Sequence, residues 1–319
     1  MRPIDTLRVS ITDRCNLRCI YCMPADGIKL IPHDEILSFE EIERMVRAAV
    51  RQGVRKVRLT GGEPLVRKNV IGLVERLSLI HDIYDLPMTT NGVLLSEMAH
   101  DLKAAGLSRV TVSLDTLKAT RFATIAGRPE LHRVMMGINA AIAAGLLPLK
   151  INVVVVPGKN DDEILEFAVL ASRLDVEVRF IERMPLGGWP ECGLAGDNYV
   201  PSGVIRRQID EALGPLEPIP AGLDQPARVY RLPGGSGRIG FISPLTEPFC
   251  RHCSRMRLTP DGRLRACLAR ELELDVKAQL RSGASDDDLA ALFERAVEMK
   301  PEQDAACFAA TRGMSQIGG

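Results

Sequence analysis

Net charge is absent from this chain. Its 319 residues carry 41 Lys plus Arg against 41 Asp plus Glu, so no global field holds it to nucleic acid or to an anionic membrane, and any basic site has to be local. Long apolar runs are also missing. None reaches the ~18 residues of a membrane span, and the start of the chain mixes Arg2, Asp5, Arg8, Asp13, Arg14 and Arg18, which leaves no apolar stretch for a signal peptide. The expected localisation is cytoplasmic. Cysteine is scarce too, since eight residues are too few for a disulfide scaffold of this length. Apolar side chains are plentiful: 46% of the chain, beside 26% charged, suffices for one large barrel or two ordinary domains.

From Val54 to Met184 short β-branched runs alternate with amphipathic segments, the rhythm of βα units around a parallel sheet. Strands are expected at Leu7–Ile11, Val54–Thr60, Leu86–Thr90, Val110–Leu114, Leu149–Val156 and Val176–Ile181. Ser38-Phe39-Glu40-Glu41 is a capping box opening a helix. Further helices are expected at Ser96–Ala105, Leu131–Ala144 and Asp161–Ser172, with Gly106 and Gly145 as stops. After about residue 185 the chain becomes rich in Gly and Pro, with a short strand at Arg238–Ser243 and helices at Leu272–Leu280 and Asp286–Met299.

Polar groups follow one strand after another: Gly61-Gly62-Glu63-Pro64, Thr89-Thr90-Asn91-Gly92, Ser113-Leu114-Asp115 and Glu182-Arg183-Met184, with Lys150 and Asn152 inside the fifth strand. In a parallel barrel, strand C-termini form the mouth where ligands bind. Loop punctuation accounts for any one of these groups, but less well for their repetition.

Six of the eight cysteines fall into two triplets, Cys15, Cys19, Cys22 and Cys250, Cys253, Cys267. Three thiolates from one short loop can grip a metal or an iron-sulfur cluster and leave one coordination site open. From spacing alone zinc competes, with His33 as a conceivable fourth ligand. The second triplet has His252 beside it and six arginines around it (Arg251, Arg255, Arg257, Arg263, Arg265 and Arg270) against one acid, Asp261. A polyanion site beside a metal is one reading. A solvated basic face or an RNA patch is the other, and the lack of any aromatic residue between Cys250 and Arg270 counts against stacking on bases. Cys192 and Cys307 stand alone and read as ordinary thiols.

Cys15-Asn16-Leu17-Arg18-Cys19-Ile20-Tyr21-Cys22, together with Gly61-Gly62-Glu63-Pro64, resembles the motifs of the radical S-adenosylmethionine (SAM) enzymes. With Leu7-Arg8-Val9-Ser10-Ile11-Thr12-Asp13, the second triplet and the terminal Gly318-Gly319, the chain is similar over essentially its whole length to the GTP 3′,8-cyclase family of molybdenum cofactor biosynthesis. The resemblance implies an α/β fold with an incomplete (βα)6 TIM-type barrel over residues 1–185. A C-terminal α+β module, residues 186–319, would follow. It further implies a 4Fe-4S cluster on each triplet, both with an open iron.

By the same resemblance, SAM bound at the first cluster yields a 5′-deoxyadenosyl radical that takes the 3′ hydrogen of GTP. The ribose radical then closes on carbon 8 to give (8S)-3′,8-cyclo-7,8-dihydroguanosine 5′-triphosphate, which cyclic pyranopterin monophosphate synthase consumes. SAM contacts fall on Tyr21, Gly62, Ser113 and Met184. GTP contacts fall on Arg8, Arg58, Thr89, Lys150 and the run Arg255-Met256-Arg257. Arg255 and Arg257 would tune the late reduction of the cyclised radical, and Gly318 and Gly319 would reach into the active site. A low-potential electron donor and a homodimer are implied, and no nucleic acid. The rival readings are a two-cluster radical SAM enzyme acting on a peptide and a zinc-stabilised RNA-binding module.

Overall fold

Alternation along each strand decides what the barrel wall presents to either side. The computed structural model describes residues 3–23, 27–184, 199–220, 222, 225–301 and 312–318. Strands β1 (Thr6–Ser10), β2 (Lys56–Thr60), β3 (Met88–Thr90), β4 (Val110–Ser113), β5 (Lys150–Val155) and β6 (Glu177–Glu182) lie side by side in chain order, all parallel. On one face Leu7, Val57, Leu59, Val112, Ile151 and Phe180, each at most 1% exposed, join the apolar core shared with the helices. On the other, Arg8, Lys56, Arg58, Thr111, Lys150 and Arg179 line a cavity. A closed TIM barrel fills its lumen with branched apolar side chains; this one lines it with charge.

The connecting helices are α1 (Phe39–Arg51), α2 (Val70–Ser78), α3 (Leu95–Ala104), α4 (Ala119–Ala126), α5 (Leu131–Ala143) and α6 (Ile164–Leu174). The capping box forms as expected: Ser38 Oγ accepts from the Glu41 N–H at 3.1 Å, and the Glu41 carboxylate accepts from the Ser38 N–H at 2.7 Å. Helices α2 and α4 have no expected counterpart; like α3, α5 and α6, neither is opened by a side-chain cap.

The C-terminal half begins with α7 (Ser202–Leu213), also unanticipated, and continues through β7 (Glu217–Ile219), β8 (Arg228–Arg231), β9 (Arg238–Ile242), β10 (Arg255–Leu258), β11 (Arg263–Arg265) and β12 (Glu273–Asp275). It ends in α8 (Val276–Arg281), α9 (Asp286–Glu298) and a final turn, α10 (Met314–Ile317). The helix expected at Leu272–Leu280 starts instead as β12. Glu273 and Asp275 pair there with Arg265 and Arg263 of β11, and Asp275 then caps α8 by accepting from the Ala278 N–H at 3.0 Å. Strand β9 adds in parallel to β6, and β10 adds in parallel to β1. The C-terminal half thus extends the six-stranded sheet at both edges, in the order β12-β11-β10-β1-β2-β3-β4-β5-β6-β9-β8-β7. Arg257 lands beside Arg8, which lands beside Arg58. Among the described residues, no helix is long and apolar enough to cross a membrane.

Candidate active site

All six clustered cysteines border one cavity of about 920 Å³ inside the barrel. The first triplet lies on the loop after β1, and the backbone of the Gly-Gly pair after β2 is pressed against the start of that loop. The Gly62 N–H donates to Thr12 O at 2.6 Å and the Glu63 N–H to Arg14 O at 2.8 Å. A Cβ on Gly62 would stand 2.5 Å from Arg14 O, and one on Gly61 would stand 2.9 Å from Thr12 O. Both positions therefore need glycine for close approach. Gly62→Ala is expected to push the cysteine loop aside at about 1–3 kcal/mol, with iron per chain and thermal melting as the readouts.

Glu63 takes a structural part. It is 1% exposed and accepts from Thr90 Oγ1 at 2.7 Å and from the N–H groups of Leu65 and Asn91 at 3.0 and 2.6 Å. Burial pushes its carboxyl up to about 7 against the pull of these bonds. Asn91 then reaches the cysteine loop, donating to Asn16 Oδ1 at 2.7 Å and to Cys15 Sγ at 3.7 Å. On the opposite side the buried Asp115 accepts from the Tyr21 hydroxyl and from the Val154 N–H. Burial raises its carboxyl to about 6.

The donor chemistry fits a cationic cluster. Burial raises all three thiols of the first triplet, Cys22 to about 12, and negative neighbours add to this: Glu63 at Cys15, Asp115 with the other two thiols at Cys19, and Cys15 and Asp115 at Cys22. A positive group among them would reverse that penalty. At the second triplet burial again raises Cys253, but the charges of Arg255 and Lys300 outweigh it and bring the thiol down to about 7. A tetrahedral zinc with 2.3 Å bonds draws its thiolates to roughly 4 Å of one another. Among the described residues no three His, Cys, Asp or Glu side chains are grouped to hold a single metal ion, and His33 and His252 are exposed and away from the cavity.

Below the cysteines the lumen is crowded with cations. Arg58 donates to two neutral hydroxyls, Thr89 Oγ1 at 3.3 Å and Thr111 Oγ1 at 3.1 Å. Burial and the nearby Arg8, Arg109 and Arg179 hold its guanidinium well below the usual range. Arg8 is lowered likewise by burial, Arg257 and Arg255. Arg257 is brought to about 10, and Lys150 to about 8, each first by burial and then by neighbouring arginines. Such crowding is relieved by a polyanion.

Tyr21, Gly62, Ser113, Met184, Arg8, Arg58, Thr89, Lys150, Arg255 and Arg257, the expected contacts, border this single cavity. The Met256 side chain does not: strand alternation turns it into the core at 0% exposure. Gly318, with φ +76°, lies against the ends of the paired strands β1 and β2, where an added Cβ would meet Thr60 Oγ1 and come within 2.9 Å of Ser10 Cβ. Its carbonyl accepts from the Arg257 guanidinium. Gly319, Cys192 and Cys307 lie outside the described residues. Lys56, Arg109, Arg179 and Lys300 also border the cavity and were not anticipated. Only for Lys56 was a local signal present, since it alternates with Arg58 in a strand whose other places are apolar.

Residues 9–171 match the radical SAM superfamily, and residues 176–306 match the family described as Molybdenum Cofactor Synthesis C. The chain is 49% identical to a GTP 3′,8-cyclase of Moorella thermoacetica and 48% identical to one of Pelotomaculum thermopropionicum, in each case over 100% of this chain and 98% of the relative. Among solved structures, Streptococcus suis SuiB bound to S-adenosylmethionine is similar in fold, with a TM-score of 0.60 at 14% identity over 92% of this chain and 68% of that one. The chain belongs to the GTP 3′,8-cyclase family of radical SAM enzymes.

Proposed function

We propose that this chain converts GTP to (8S)-3′,8-cyclo-7,8-dihydroguanosine 5′-triphosphate, the first step of molybdenum cofactor biosynthesis. The observation that carries this reading is that two cysteine triplets and a layer of buried cations share one cavity. When bound, a 4Fe-4S cluster on Cys15, Cys19 and Cys22 would cleave SAM to the radical that takes the ribose 3′ hydrogen, and a second on Cys250, Cys253 and Cys267 would hold guanine through its open iron. The chain's own residues bind and orient. Gly62 and Ser113 offer SAM a bare backbone and a hydroxyl, Met184 offers it a thioether, and Tyr21 stands between the cluster loop and Asp115. Arg8, Arg58, Thr89, Lys150, Arg255 and Arg257 take GTP, and the cations among them match its triphosphate better than an extended peptide. Met256 contributes through its backbone. Arg255 and Arg257 lie at the second triplet, where a positive charge favours the late reduction of the cyclised radical. Residues 1–185 supply the barrel and residues 186–319 the second triplet, the basic strand and the tail.

The product is the substrate of cyclic pyranopterin monophosphate synthase, and a low-potential donor supplies the electrons. We take the chain to act as a cytoplasmic homodimer. The test is an anaerobic turnover of iron-loaded protein with SAM, a strong reductant and GTP deuterated at the ribose 3′ position. Deuterium in the released 5′-deoxyadenosine is the expected result. Unlabelled 5′-deoxyadenosine would move the substrate or the target atom elsewhere.

Lys150 makes GTP binding pH-dependent. Burial and neighbouring arginines hold its ammonium near 8, so the cation is present below that pH and lost above it. Affinity for GTP is expected to fall roughly fivefold between pH 8 and pH 9, the slope of a single required proton. Lys150→Arg should flatten the profile when KM for GTP is followed against pH.

A further inference from the structure

The described part of the C-terminal tail runs from Arg312 to Gly318. The Arg312 guanidinium makes two parallel hydrogen bonds to Asp261, Nη1 to Oδ1 at 3.0 Å and Nη2 to Oδ2 at 3.1 Å. The same Nη2 lies 3.5 Å from Glu273 of β12. Two-pronged arginine-carboxylate pairs fix orientation as well as adding energy. This one is largely shielded from water, with 29% of the Arg312 side chain and 17% of the Asp261 side chain exposed.

Asp261 is itself fixed. It sits in the turn between β10 and β11, and its Oδ1 also accepts from Thr259 Oγ1 at 2.6 Å. Glu273 is held by Arg265, which is wholly buried on β11. The same hairpin carries Arg257, which binds the Gly318 carbonyl. The segment from Arg312 to Gly318 is therefore tied to one hairpin at two points, by Arg312 at its turn and by Arg257 on its leading strand. What lies between is one helical turn, Met314–Ile317, too short to order itself. A chain end loses conformational entropy at every residue it fixes. Gly318 has no side chain with which to offset that loss.

We propose that Arg312 is a positioning residue: its bridge to Asp261 latches the tail to the β10–β11 hairpin and so delivers Gly318 against Ser10 and Thr60 in a single register. Only the consequence for turnover rests on the cyclase reading; docking of the tail is measured apart from it.

Hydrogen exchange of the C-terminal peptide, read by mass spectrometry in the full iron-loaded chain, tests the latch. The Gln316 N–H is bonded to Gly313 O at 3.0 Å, and Ser315 and Ile317 are buried, so the amides of this turn report docking. Arg312→Met is expected to speed their exchange about tenfold to a hundredfold while core amides stay protected, and Arg312→Lys should fall between it and the parent. Asp261→Asn should give the same loss, and the double variant should add nothing to either single change. Unchanged tail protection in Arg312→Met, or additive losses in the double variant, overturns the latch. In turnover, Arg312→Met should release 5′-deoxyadenosine at the parental rate but form less cyclised product per deoxyadenosine. If protection is lost and that ratio holds, the latch stands and it is the need for a docked tail in cyclisation that fails.

Discussion

Deleting Gly318 and Gly319 is expected to lower cyclisation about a hundredfold or more, the scale at which misplaced catalytic groups cost rate, while both triplets keep their iron and SAM is still cleaved. The reason is local. Gly318 lies so close to Ser10 and Thr60 that no Cβ fits, in a left-handed conformation that disfavours any side chain. Its carbonyl is engaged by Arg257, one of the cations that border the cavity. Gly318→Ala should therefore resemble the deletion, because the added methyl group expels the tail from its slot without shortening it. The measurements are product formed per 5′-deoxyadenosine released and iron per chain, taken on the same preparation. A deletion variant that still cyclises at the parental rate would make the docked tail a bystander.

Much of the barrel was legible because it rests on local signals. The capping box at Ser38, the stops at Gly106 and Gly145, and six β-branched runs each announce an element within a few residues, and each of these elements formed. What was not legible depends on distant partners. Nothing near Arg255 says that β10 will add to β1, a pairing that crosses most of the chain, and nothing near Arg238 says that β9 will add to β6. Helix α7 opens at a proline without a side-chain cap, and the strand at Glu273 is a short one paired with the neighbouring β11, where the pattern continues into α8. The site divides the same way. The cysteines and the Gly-Gly loop could be read from spacing, whereas nothing beside Arg109 or Arg179 marks either as lining the cavity. Only the curvature of the sheet turns them inward, where Asp85 and Glu177 partly compensate them.

The two triplets sit in opposite electrostatic settings, and this shapes the second large effect. Around the first, Glu63 and Asp115 oppose thiolate formation. Around the second, Arg255 Nη2 donates to Cys253 Sγ at 3.5 Å, and Lys300, tied to the carbonyls of Arg255 and Ala266 at 2.7 and 2.9 Å, adds a further positive charge. Cys253→Ser replaces a thiol that ionises near pH 7 with a hydroxyl that stays neutral there, so the variant should lose about half of the bound iron, one of two 4Fe-4S clusters. SAM cleavage should persist, since Cys15, Cys19 and Cys22 lie on a separate loop held by Gly62 and Asn91, while cyclised product should vanish. Full iron content in Cys253→Ser would remove this residue from the ligand set. Loss of all iron would mean that the second triplet is needed for the first to assemble, a coupling for which the structure offers one direct path: β10 lies against β1, and the loop that follows β1 carries the first triplet.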